Sequence, residues 1–447
     1  MTQQNRHQVA IVGAGFSGLL TAINLLKLSP HLNVALIERR PVIGPGAAYD
    51  TDNPHHLLNV RLDNMGAFPD RPTDLSDWLA TQPGWRHQDG FIARGLYGDY
   101  LKHLLRQAQA DAPGRLTQIH ADALSLSRTG SDWALQTSAG PVVAQTVVLA
   151  LGNLEPGSPL PIAADLKASS AYVENPWALD ADAHEAAQSV LLIGAGLTMV
   201  DAALTLQKPG RRFVALSRHG LPPRAHAAVA PAPYVGDFGG TPSQVFAQVR
   251  AATRAHDWRG VFDRLRQLSR GLWQGWTPVE RRRFLRHLRT LWDIHRHRLS
   301  PVAARQIQVM QATGALSVQA GRLTALDLRG DAVQAAWRPR GQGDDQIVRQ
   351  DFDLVINCTG PLSALSQSAD PFIRDLLAKG YILPDPLGLG LWVDDQGRPL
   401  DPDGRPVPGL NAVGPMTRGA LWEITAVPDL RGQARALAER LTLNPAL

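Results

Sequence analysis

The sequence predicts an α/β fold of two nested Rossmann-like dinucleotide-binding domains with a helical insertion. Three observations carry that prediction. Two apolar runs each end in a glycine-rich turn, at Gly13 and at Gly194. The chain has 447 residues, more than a single hydrophobic core usually supports. Its composition changes sharply over residues 244–299, which turn rich in Arg, His and Trp. The expected first domain covers 1–165 and 345–447, and the second covers 186–344 with the insertion at about 244–299.

The elements follow in order. Residues 9–12 are a short apolar run ending in Gly13. Leu19, Leu20, Ile23, Leu25 and Leu26 then recur at helical spacing, and residues 34–37 form a second apolar run ending in Glu38. This is β-α-β order. Residues 41–75, rich in Gly, Pro, Asn and Asp, read as irregular. Residues 147–151 read as a buried strand ending at Gly152, and Pro156, Pro159 and Pro161 as a linker. The second β-α-β unit uses strands at 190–193 and 213–216, and 221–243 is a Pro- and Gly-rich crossing loop. Strands resume at 316–337 and 353–356, the latter ending in Asn357-Cys358-Thr359-Gly360. Residues 411–413 end in Gly414, and a last helix starts near Pro428.

Hydrophobic residues make up 44% and charged residues 19%, as in an ordinary soluble enzyme. The net charge of +5 is almost all arginine, which favours anionic ligands such as phosphates and carboxylates. Cys358 is the one cysteine, so neither an internal disulfide nor a Cys-x-x-Cys redox pair can form. The N-terminus lacks the order of a secretory signal, and no apolar run is long enough to cross a bilayer. These features predict a cytoplasmic protein without a membrane partner.

In the first turn, Gly13 permits the tight bend and Gly15 lets backbone approach a pyrophosphate. Phe16 and Ser17 complete the turn, and Gly18 lets the helix pack against its strand. The helix N-terminus offers unpaired N–H groups to phosphates. Glu38, followed by Arg39, stands where a carboxylate accepts hydrogen bonds from an adenosine ribose. Glu38 alone suits NAD as well as FAD. A fingerprint at residue 13 with a second near 194 is the layout of two-dinucleotide flavoproteins, in which the first binds FAD.

The second turn is Gly194-Ala-Gly196-Leu-Thr198-Met199. Met199 replaces the third glycine, which implies a looser helix–strand approach with phosphate binding retained. The following strand ends in Ser217-Arg218-His219 with no acid. Such an end suits a 2′-phosphate, so NADPH is expected over NADH. The plain alternative is that Arg218 is only a surface arginine.

Together with His56-Leu-Leu-Asn59-Val60, Met65, Ser217-Arg-His-Gly220, Arg286-His-Leu-Arg289 with Trp292 and His295-Arg-His-Arg298, Asn357-Cys-Thr-Gly-Pro361 and Trp422-Glu-Ile-Thr-Ala-Val-Pro-Asp429, these motifs carry a resemblance over nearly the whole chain. The chain resembles the bacterial FAD/NAD(P)-binding proteins, neighbours of the N-hydroxylating and Baeyer–Villiger flavin monooxygenases. The resemblance implies that the loop with Asn59 and Met65 runs along the flavin. It implies further cofactor contacts at Gly152, Gly360, Gly414, Trp422 and Thr425, with the last helix aimed at the pyrimidine edge. The Baeyer–Villiger signature FxGxxxHxxxW is absent, and Ala150-Leu-Gly152-Asn153 replaces the N-hydroxylase ATGY.

The insertion crowds Arg281, Arg282, Arg283, Arg286, His287, Arg289, His295, Arg296, His297 and Arg298 around Trp273, Trp276 and Trp292. A solvated face accounts for most of these arginines. Nucleic-acid binding is a weaker reading, because the rest of the chain is not a basic module. Arg286, His287, Trp292, His295 and Arg296 are the substrate-site candidates, with the insertion roofing the flavin. Cys358 reads as a small buried residue. The expected activity is an NADPH-dependent flavin monooxygenase using O₂ on a small polar substrate, acidic ones included, such as an amine or amino acid. Two alternatives stay open: an FAD-dependent NAD(P)H oxidoreductase without oxygenation, and a nucleotide-holding binding or regulatory protein. No metal is expected, and the oligomeric state is not readable.

Overall fold

A computed structural model describes residues 6–85, 90–343 and 346–443. β1 (Arg6–Val12), α1 (Phe16–Leu28) and β2 (Val34–Glu38) form the first β-α-β unit. α2 (Gly46–Tyr49), α3 (Asp74–Ala80) and α4 (Arg94–Asp111) follow, then β3 (Leu116–His120), β4 (Ala123–Thr129), β5 (Asp132–Thr137) and β6 (Gly140–Leu149). α5 (Ala164–Ala168) and β7 (Tyr172–Val173) lead into the second unit of β8 (Ser189–Ile193), α6 (Leu197–Leu206) and β9 (Arg212–Ser217). Four helices form the insertion: α7 (Pro242–Ala252), α8 (Trp258–Gly275), α9 (Pro278–His287) and α10 (Arg289–Arg296). The chain returns through α11 (Pro301–Ala312), β10 (Leu316–Arg329), β11 (Ala332–Pro339), β12 (Val348–Phe352) and β13 (Leu354–Asn357). It ends with α12 (Pro371–Ala378), β14 (Leu410–Ala412), α13 (Arg418–Leu421) and α14 (Val427–Thr442).

The first sheet has the order β3-β2-β1-β6-β5-β4, and β14 also pairs with β6. The second has the order β12-β11-β10-β9-β8-β13-β7. Each joins a parallel core to an antiparallel meander. Strands buried on both faces explain the unbroken apolar runs. Val9 and Ile11 pack toward α1 and α14, whereas Ala10 and Val12 pack on the opposite face. α1 is buried from Phe16 to Leu26 because it is held between the first sheet and α14.

Two boundaries shift from the expectation. The second sheet takes in β7, β12 and β13, so the return to the first sheet comes after Asn357 and not at 345. β13 fills the slot beside β8, a long-range pairing that a Pro- and Gly-rich linker does not reveal. The insertion helices start at Pro242, where Thr241 caps α7 and exchanges hydrogen bonds with Gln244. The loops expected at 41–75 contain α2 and the start of α3, and β3 to β5 and α4 had no expectation attached.

Candidate functional site

At the first turn Gly13 has φ +98°, and a β-carbon there would overlap the Ala150 carbonyl oxygen. A β-carbon at Gly18 would overlap the Gly13 carbonyl, so α1 meets its strand as closely as backbone permits. Gly15 caps α1 without a side-chain partner and lies against Gly46, leaving bare backbone on both sides of the turn. Phe16 and Ser17 are buried, and Gly414, at φ +98°, sits against the Ser17 side chain. The C-terminal segment therefore meets the first turn. Glu38 is buried and accepts from the Ala14 N–H at 2.8 Å and the Arg40 N–H at 3.0 Å. Each carboxylate oxygen keeps a second lone pair, so the glycines, helix end and acid fit a dinucleotide. Arg39 turns away to Asp370 at 2.7 Å and Asp122 at 3.4 Å.

The 56–65 loop is anchored from the second domain. His56 hydrogen-bonds Thr205 Oγ1 at 2.9 Å, and Asn53 Nδ2 donates to the same oxygen at 3.0 Å. Arg94 pairs with Asp201 at 2.9 Å, both largely buried. His226 Nε2 donates to the Asn59 carbonyl at 3.0 Å, and burial pushes this histidine down to about 4. Met65 is buried, and its carbonyl accepts from Tyr97 at 3.0 Å. Gly152 and Gly360 both have positive φ with open space at the β-carbon position.

At the second turn Gly194 has φ +126°, and a β-carbon would overlap the Cys358 carbonyl oxygen. Gly196 caps α6, Thr198 sits in its first turn, and Met199 is fully buried beneath it. Ser217 Oγ accepts from the Gly220 N–H at 3.0 Å. Arg218 is exposed, and Arg340, reaching over from β11, donates to His219 Nδ1. Neither arginine has a carboxylate partner among the described residues. Burial, then Arg340 and Arg218, lower the His219 pKa. Sequence reasoning missed Arg340, because nothing near residue 340 announces a contact with residue 219.

The insertion docks on the C-terminal segment. Trp273 donates to the Gly419 carbonyl at 2.8 Å and stacks on Trp422 with centroids 4.6 Å apart. Glu423 accepts from Trp292 and from Arg296, each at 2.8 Å, and Arg266 pairs with Asp429 at 2.5 Å. Burial raises the Glu423 pKa, but Arg296 and His297 outweigh it and hold the carboxyl below its ordinary value. Trp422, at φ +52°, is the one non-glycine residue with positive φ among the described residues. Such strain persists only where surroundings over-determine it, and here two insertion tryptophans and Phe284 do so. Thr425 follows in the same segment, half-buried.

Of the insertion candidates, Trp292 and Arg296 thus reach this segment. His295 is held by its Nδ1–H to the Leu291 carbonyl at 2.7 Å and stacks on Phe262. Arg286 and His287 are exposed at the end of α9, turned to solvent. Arg266, paired with Asp429, and Gly46, set against Gly15 at the first turn, are contacts that the sequence does not announce. Among the described residues no cluster of His, Cys, Asp and Glu could hold a metal, and no helix is long and apolar enough to cross a membrane.

Two glycine turns, each set against the carbonyl of the neighbouring strand, define a pair of dinucleotide cradles. Residues 10–154 match the FAD-NAD(P)-binding family. The chain is 29% identical to the L-aspartate N-monooxygenase (nitrosuccinate-forming) of Streptomyces cremeus over 278 residues, 50% of this chain and 41% of that one. It is 24% identical over 216 residues to an uncharacterized protein of Escherichia coli, 44% of this chain and 39% of that one. The chain thus spans about two fifths of the length of these relatives. Among solved structures, the ornithine hydroxylase of Pseudomonas aeruginosa aligns over 98% of both chains with a TM-score of 0.63 at 14% identity. The ornithine N-hydroxylase of Kutzneria gives 0.61 at 14% identity over 98% of this chain and 99% of that one. The bacillithiol disulfide reductase of Staphylococcus aureus gives 0.59 at 12% identity over 98% of both chains. These likenesses establish the two-domain Rossmann-type fold, which serves both kinds of chemistry.

Proposed function

We propose that the chain is an NADPH-dependent flavin monooxygenase that N-oxygenates a small amine or amino acid. The observation that carries this choice over disulfide reduction is the cysteine. Cys358 is the sole thiol in the chain, lies buried behind Gly194, and burial pushes its pKa far up. A disulfide reductase of this fold needs an accessible dithiol or a reactive thiolate. The partial match to an aspartate N-monooxygenase supports oxygenation as the alternative.

In this reading the 13–18 turn and Glu38 hold FAD, and the 194–199 turn holds NADPH. Bound FAD supplies hydride acceptance from NADPH and activation of O₂. The protein supplies the rest. Glu38 accepts the ribose hydroxyls, and α1 faces the pyrophosphate with unpaired N–H groups. Arg218, His219 and Arg340 surround the 2′-phosphate with donors, and among the described residues neither arginine has an opposing acid. α14 has no side-chain cap, so its first backbone N–H groups are free of a side-chain partner. The insertion covers that end and keeps water away. Use of NADPH and a single cysteine fit a cytoplasmic enzyme.

The test is oxygen incorporation. The purified protein releases FAD on denaturation, and ¹⁸O₂ places label on the substrate nitrogen at the expense of NADPH. NADPH oxidation that reduces an acceptor and never labels an amine overturns this reading in favour of a plain oxidoreductase.

A further inference from the structure

The aromatic core of the insertion is not filled. A cavity of about 460 Å³ opens into it, walled by Val245 and Val249 of α7, Phe262 of α8, Trp292 of α10, and Trp422. That volume lies in the range of small-molecule sites, which are mostly apolar with a few placed polar groups. The polar groups here are sparse and of one sign. Among the described residues no aspartate or glutamate lines the cavity. The Thr253 and Ser269 hydroxyls already donate to the carbonyls of Arg250 and Arg266. His295 presents its remaining Nε2 from a ring held between Phe262 and Trp258. Arg250 stands exposed at the wall, and among the described residues it has no ion-pair partner.

These groups select an occupant. A cation finds no counter-charge. A fully polar molecule leaves its hydrogen-bonding groups facing apolar rings, which costs free energy. An aromatic or branched apolar body gains dispersion and area burial against four indoles and three phenyl rings. We propose that this cavity is a binding site for an aromatic or branched aliphatic carboxylate, with the apolar body between Val249, Phe262 and Trp422 and the carboxylate at Arg250. Trp422 is at once a cavity wall and the first residue of the 422–429 segment. On the oxygenase reading, the occupant is therefore the apolar body of the substrate, which departs from the small polar substrate the sequence predicts. That last link rests on the proposed function, and the binding itself does not.

Calorimetric titration of the FAD-loaded protein with indole-3-acetate tests the site, with indole and L-aspartate as comparison probes. Indole-3-acetate binds saturably, indole binds more weakly, and L-aspartate gives no heat. Leu272→Trp, from a half-buried wall position, fills the cavity and lowers affinity at least about tenfold, as loss of a buried ring contact does. Arg250→Ala changes an exposed side chain, so folding is retained. It weakens indole-3-acetate by about fivefold, the value of an exposed charge pair, and leaves indole unchanged. No saturable binding to the wild type, or affinity indifferent to both substitutions, overturns the proposal. The titration involves no turnover. Binding without oxygen incorporation refutes the oxygenase reading alone, and oxygen incorporation without cavity binding refutes the cavity alone.

Discussion

The two glycine turns are built alike and finished differently. Gly13 and Gly194 each hold positive φ and each press on a carbonyl, that of Ala150 after β6 and that of Cys358 after β13. The shared part is backbone geometry, which fixes where a pyrophosphate can lie. The differing part sits at the end of the next strand. There the first unit has buried Glu38, and the second has Ser217, Arg218, His219 and Arg340. The helix contact differs too, since Gly18 allows backbone contact where Met199 fills the core with a side chain. On the proposed reading, the turn sets where the nucleotide lies, and charge one strand away sets which nucleotide binds. The second unit also carries the insertion, which reaches back to close the first.

The largest expected effect tests that closure. Arg296 and Glu423 are both about nine-tenths buried, with side chains 10% and 8% exposed. Arg296→Ala leaves a buried carboxylate unpaired, a loss of about 3–5 kcal/mol, read as a fall in urea midpoint. Arg296→Ala with wild-type stability would show that the insertion is not clamped through Glu423.

Next come the turns themselves. Gly13→Ala and Gly194→Ala each force a β-carbon onto a carbonyl at positive φ, costing on the order of 3 kcal/mol. Gly13→Ala should purify without FAD. Gly194→Ala should keep FAD and lose saturation by NADPH. If both variants lose the same nucleotide, the assignment of one cofactor to each turn is wrong.

The strand ends follow. Arg218→Ala and Arg340→Ala should each remove a charge-assisted contact of roughly 1.5–3 kcal/mol from NADPH, about ten- to a hundredfold in kcat/KM. NADH should be nearly unaffected. Equal losses with both nucleotides would show that these arginines do not read the 2′-phosphate.

The smallest expected effect is Arg286→Ala. Its side chain is exposed, so stability should stay within about 0.5 kcal/mol of wild type and kinetics should not change. A selective loss of turnover in this variant would restore Arg286 to the substrate site.

The sequence by itself determined both β-α-β units, their glycine turns, Glu38 and the acid-free end at Ser217-Arg218-His219. Each follows from local rules: apolar runs for strands buried on two faces, glycine where φ is positive, and charge at a strand end. The tertiary structure alone decided that Arg340 stands beside His219, 121 residues away, and that Arg296 holds Glu423, 127 residues away. It also separated Arg286 from Arg296, which composition had treated alike, and it assigned β13 to the second sheet. Ion pairs of this kind leave no period in the sequence, because an arginine on a solvated face and one on a buried face look identical until packing removes the water.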